Sequence, residues 1–126
     1  MTLERGQVIA LRRNGAGIIL VVDSPHVTIV PVGGYNGPPP HRAEIRLDDP
    51  TEIFACGVSY RFPVVRCHMT FPMHAATANA ALVLGNAPGP LMTRIINALR
   101  REMECRALEA RLHFCDISRG LLPVQL

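Results

Sequence analysis

Residues 17–34, GIILVVDSPHVTIVPVGG, decide the fold. Two apolar, β-branched runs, Ile18–Val22 and Val27–Val30, flank the punctuation Asp23-Ser24-Pro25-His26. Runs this short and this rich in Val and Ile read as strands buried on both faces and joined by a turn. Asp, Ser and Pro supply the turn, and Pro31 with Gly33-Gly34 is expected to end the second strand.

Upstream, Gly6–Leu11 alternates as a first strand, and Arg12-Arg13-Asn14-Gly15 is a hairpin signal. Downstream, Tyr35–Arg42 (YNGPPPHR) reads as a stiff, exposed loop. Ala43–Asp48 alternates with period two, as a strand with one wet face does. Asp49–Glu52 is a loop that opens one helical turn through Ile53 and Phe54. Val64–Met69 is a further strand, closed by Phe71-Pro72. Ala75–Leu84 is alanine-rich and reads as helix, or as strand at its Leu82-Val83-Leu84 end. Gly85–Pro90 breaks the chain, with Pro90 suited to a first helical position. From Leu91 to Leu108 apolar residues recur at helical spacing, and Glu102 precedes Arg106 in the favourable i,i+4 order. The tail Leu112–Ile117 adds a short strand. The expectation is a single α+β domain over 1–126: a small curled antiparallel β-barrel (about 4–72), then a helical part (about 75–112) carrying a C-terminal amphipathic helix.

The composition excludes several classes. The mean hydropathy is +0.20, yet no apolar run approaches the ~20 residues of a membrane span. The N-terminus MTLERGQ has no apolar signal region, so a cytoplasmic location is expected. All 13 basic residues are arginine, and the net charge is +3. Arginine suits phosphate and carboxylate alike, so this charge permits nucleic-acid binding without requiring it. The absence of Trp argues against an extended stacking platform for single strands. Cys56, Cys67, Cys105 and Cys115 form no CxxC pair and are expected to be reduced.

Arg5-Gly6-Gln7-Val8 opening a strand, GIILVVD as the second strand, VTIVPV as the third, and AEIRLD after them resemble the MazF/PemK family of toxin ribonucleases. Gly57-Val58-Ser59 followed by Val64–Cys67, and the late amphipathic helix, fit the same pattern, over roughly residues 4–105. The resemblance implies a small barrel that dimerises, meets an antitoxin-like partner and cleaves single-stranded RNA without a metal. In that family the work falls to an arginine in an Arg-Pro pair before the second strand and to a Ser or Thr after the third strand's proline. Here Gly17-Ile18 stands at the first position and Gly33 at the second. Both departures remove chemistry, since arginine stabilises charge on phosphorus and a hydroxyl positions the attacking group. The expected function is therefore RNA or partner binding with catalysis lost or rerouted. The alternatives are an active metal-independent endoribonuclease and a non-enzymatic interaction module.

If catalysis is rerouted, His41 and Arg42 form the best local pair: a group titrating near neutrality beside a permanent cation. Arg12, Arg13 and His26 are the candidate nucleic-acid contacts. Their ordinary alternative is a solvated loop role. The helix arginines Arg94, Arg100, Arg101, Arg106 and Arg111 read mostly as a solvated face balanced by Glu102, Glu104 and Glu109. Cys67-His68, His113-x-Cys115 and Cys56 offer nominal zinc ligands, but neighbours on a strand point to opposite faces, so no metal and no cofactor is expected. Pro38-Pro39-Pro40 reads equally as a recognition segment or a rigid connector. The expected partners are RNA, an antitoxin-like or other protein, and a second copy of the chain, with no membrane.

Overall fold

The computed structural model describes residues 3–13, 15–35 and 41–118, with side chains as far as Leu112. Asn14 and the proline run Pro38-Pro39-Pro40 lie outside the described residues. Strand β1 (Gln7–Leu11) turns into β2 (Gly15–Asp23), which turns through Ser24-Pro25 into β3 (His26–Gly34). Next come β4 (Glu44–Arg46), helix α1 (Pro50–Cys56), β5 (Pro63–Arg66), β6 (Phe71–His74), α2 (Ala75–Ala80), β7 (Val83–Asn86) and α3 (Gly89–Ser118). The strands form one antiparallel sheet in the order β4-β5-β3-β2-β1-β7, with β6 also paired to β3.

Both faces of the central hairpin are buried through Ile19 on β2 and from Val27 to Val32 on β3. Val21 and Val22, expected to be buried, are instead exposed beside the turn, where the hairpin end projects past the packed core. Alternation along β1, β2 and β3 sends Val8, Ile18, Val30 and Val32 to one face. Ile9, Ile19 and Ile29 go to the other, all at 0% exposure. The first face packs on Leu91, Ile95 and Ala98 of α3 and on Ile53 and Cys56 of α1. On the second face, Ala78 of α2 meets Val83 of β7 and Phe71 and Met73 of β6. Strands from distant places in the sheet order thus share one cluster, which is how the sheet curls. A register shift between Ile19 and Val21 adds local twist.

Several elements differ from the sequence expectation. β3 runs on through Pro31 to Gly34. Its outer neighbour changes there, from β6 opposite His26–Ile29 to β5 opposite Val32–Gly34, so Pro31 falls between two ladders. The strand expected to reach Met69 stops at Arg66, and Cys67-His68 form a turn. Phe71-Pro72 opens β6 rather than closing a strand. α1 has 7 residues because both ends are capped: Asp49 accepts from Thr51 N at 2.9 Å, and Gly57 (φ 70°) donates to Ile53 O and Phe54 O. Ala75–Leu84 divides into α2 and β7. The sheet is therefore not confined to the first 70 residues. The tail from Leu112 to Ile117 continues α3 instead of forming a strand.

α1 reaches β7 through two close backbone approaches. A Cβ on Gly85 would collide with Ala55 O and lie 2.8 Å from the Cys56 carbonyl carbon. A Cβ on Gly57 would collide with Leu84 O.

Candidate nucleic-acid interface

Register places one set of side chains on a single sheet face. Gly17 faces Pro31, Gly33 faces Val64, Arg46 faces Val64, and Arg66 faces Glu44. Directly opposed residues project to the same side, and alternation carries this through each strand. Gly17, Pro31, Gly33, Val64, Arg46 and Arg66 therefore share the face that elsewhere holds Ile9, Ile19 and Ile29. The apolar cluster covers Gly17; beyond it, at Gly33, the floor of the strip is backbone, and two arginines stand beside it.

The space at both glycines is already used. A Cβ at residue 17 would collide with Ile29 Cγ2 and lie 3.1 Å from Leu11 Cδ1. A Cβ at residue 33 would collide with Arg66 Nη1. Arg66 lies against the bare backbone and donates from Nη2 to Gly34 O at 2.6 Å. Glu44 stands opposite it in register, yet no carboxylate forms an ion pair with Arg66 among the described residues. The Arg46 guanidinium sits 5.0 Å above the Tyr35 ring centre, a cation–π contact at the same end of the sheet. Val64 is fully buried beneath this group.

The sequence candidates divide by location. The tip carrying Arg12 and Arg13 adjoins the Gly33 end, because Gly15 closes the β1–β2 ladder and Ala16 pairs with Val32. His26 lies at the other end of β3. It is eight residues from Gly34, about 26 Å at ~3.3 Å per residue, and packs edge-on against His74 at 5.7 Å. His41 and Arg42 meet a third neighbourhood, on α3. Arg42 bonds Glu102 at 2.5 Å and Glu109 at 2.5 Å, and Arg106 holds the other Glu102 oxygen at 3.1 Å. The His41 ring stacks on His68 with centres 3.8 Å apart.

Electrostatics in that third neighbourhood follow from burial and pairing. Glu102, only 4% exposed, is held below the usual carboxylate range, first by the Arg42 hydrogen bond. Its burial departs from the expected solvated face, because positions 91, 95, 98 and 102 fall on one stripe of α3. His68 is held below the ordinary histidine range by burial first and by neighbouring His41 second. Its Nδ1 is buried without a hydrogen-bond partner. His41 Nδ1 accepts from Ala43 N at 3.0 Å, which puts the neutral ring's proton on Nε2, 3.9 Å from Glu102. That gap is too long for a hydrogen bond. The arrangement ties the segment before β4 to α3.

Among the described residues no group of three or more His, Cys, Asp or Glu is placed to hold a metal, and no helix is long and apolar enough to cross a membrane. The side chains of His113 and Cys115 lie outside the described residues.

No family model and no curated protein sequence matches the chain. Solved structures do. The chain is similar to a MazE–MazF crystal structure from Deinococcus radiodurans (Form-III), with a TM-score of 0.62 and 17% identity over 82% of this chain and 98% of that one. It has a MazF-type fold. A second similar structure, the Mycobacterium tuberculosis toxin MazF-mt6, superposes with a TM-score of 0.57 and 14% identity over 80% of this chain and 97% of that one. The MazF-type core thus spans nearly the full length of these neighbours. Sequence reading missed Arg46, Arg66 and Tyr35 as a group. The available signal was an arginine at the end of the apolar run Val64-Val65, where a strand otherwise buried on both faces has no reason to carry charge.

Proposed function

We propose that this MazF-type protein binds single-stranded RNA on the Gly33 end of its sheet and does not cleave it. The reading is carried by one observation: arginines Arg46 and Arg66, with Tyr35, gather on a strip at the Gly33 end of the sheet, where Arg66 lies over the residue that has no side chain. Cations and an aromatic ring supply phosphate contact and base stacking, and the absent side chain at Gly33 lets the Arg66 guanidinium lie flat on the sheet where a strand would pass. Arg12 and Arg13 extend the positive border at the hairpin tip. Phosphate contacts weaken steeply with salt, so a gel shift with single-stranded RNA that vanishes between low and high salt supports the reading. No shift at low salt overturns it. The protein further acts in the cytoplasm as a homodimer held in check by an antitoxin-like protein. Sedimentation, and co-purification with the product of an adjacent short acidic reading frame, test those two points.

A second reading keeps a nuclease and reroutes it through His41 and Arg42. The stacked His41–His68 pair favours it, because it places two imidazoles near a permanent cation. Against it, Arg42 already neutralises Glu102 and Glu109. RNA cleavage that disappears in His41→Ala, with folding retained, would establish the second reading over the first.

A further inference from the structure

We infer that Arg66 is a phosphate-binding residue for the bound strand, and that Gly33 serves to let it lie there; this rests on the RNA-binding reading. Four features converge on Arg66. It projects from β5 onto the glycine-floored strip, and one guanidinium nitrogen rests where a side chain at 33 would be. A second nitrogen donates to Gly34 O, which fixes the plane of the group against the backbone. No carboxylate neutralises it among the described residues, although Glu44 stands in the facing position. Arg46 nearby is already seated on Tyr35, which leaves Arg66 as the planar cation poised over the floor of the strip.

A guanidinium held by one nitrogen keeps its remaining N–H donors for a ligand, and their fork matches the two free oxygens of a phosphodiester. Gly33 is then a spacing device. The three atoms nearest a methyl group there all belong to the far end of the flexible Arg66 side chain, so the methyl displaces the cation rather than the sheet. Removing the charge and displacing it should have the same effect on binding.

The test measures anisotropy of a fluorescein-labelled oligouridine across a range of salt concentrations, with the wild type and the variants Arg66→Ala, Arg66→Lys and Gly33→Ala. Each single-strand phosphate contact contributes about 0.7 to the slope of log affinity against log salt. Arg66→Ala should weaken low-salt binding about tenfold and reduce the slope by about that one contact. Gly33→Ala should reproduce both changes while retaining every arginine. Arg66→Lys should restore the slope but not the full affinity, since a point charge cannot form the fork. A merely structural role for Arg66 would lower melting temperature and leave the slope untouched. Wild-type slope in Arg66→Ala, or wild-type affinity in Gly33→Ala, overturns the inference while the RNA-binding reading stands. Failure of the wild type to bind at low salt overturns both.

Discussion

Gly85→Ala tests how closely α1 packs on β7. The added methyl would collide with Ala55 O and lie within 2.9 Å of the Cys56 carbonyl oxygen, all of it α1 backbone. No side chain can rotate away, so α1 and β7 must separate and loosen the contacts of Cys56 and Leu84 with the core. Forced overpacking of this kind costs about 1–3 kcal/mol. At ~2.1 cal/mol/K per residue, 126 residues give an unfolding entropy of about 0.26 kcal/mol/K. The expected fall in melting temperature is then about 4–11 °C. Gly89→Ala is the control: nothing lies within 4 Å of its added Cβ, at the first turn of α3. It should be neutral or raise stability by up to ~1 kcal/mol through the unfolded state. Urea and thermal unfolding by circular dichroism measure both. If Gly85→Ala melts with the wild type, α1 does not pack on β7 as described.

Further expectations concern the core, the titrating groups and the thiols. Ile95→Ala removes a fully buried side chain from the first-face cluster and should cost about 2–5 kcal/mol, read as a lower urea midpoint with an unchanged slope. His68 binds its proton less tightly folded than unfolded, so its contribution is complete above pH ~6.5 and is lost as pH falls through that value toward its folded pKa. Glu102 adds a second loss at lower pH, because its paired form is complete above about 4.3 and fails as pH falls through its lowered folded pKa. Melting temperature should therefore hold level from pH 8 to about 7 and decline from there to 5.5, His68→Asn should flatten that decline, and a flat wild-type profile would refute it. Burial pushes the Cys56 and Cys67 thiols up to about 11, whereas Cys105 is half-buried. Alkylation at pH 8 followed by peptide mapping should find Cys105 modified well before the other two, and equal rates would contradict their burial.

The hairpin was legible because burial on both faces of its core-proximal part leaves an unbroken Val/Ile signature, which runs on into the exposed Val21 and Val22, and the α3 stripe because its period is helical. β6 was not legible: Phe71-Pro72-Met73-His74 is four residues with a proline, and its pairing with β3 comes from tertiary contact. The site was legible only as residue types. Arg12 and Arg13 fall at the Gly33 end, but nothing local separates them from His26, which topology sends to the far end of β3. Arg46 and Arg66 project from β4 and β5 onto the same face, an arrangement that depends on register alone. Glu102 looked solvated because its charge outweighed its place on the buried stripe.

The most direct test of the account incubates the protein with labelled single-stranded RNA at low salt and follows binding and RNA length in the same sample. Bound RNA recovered intact, released as salt rises, is the predicted result. RNA recovered as discrete fragments, with cleavage abolished by His41→Ala, would contradict the account.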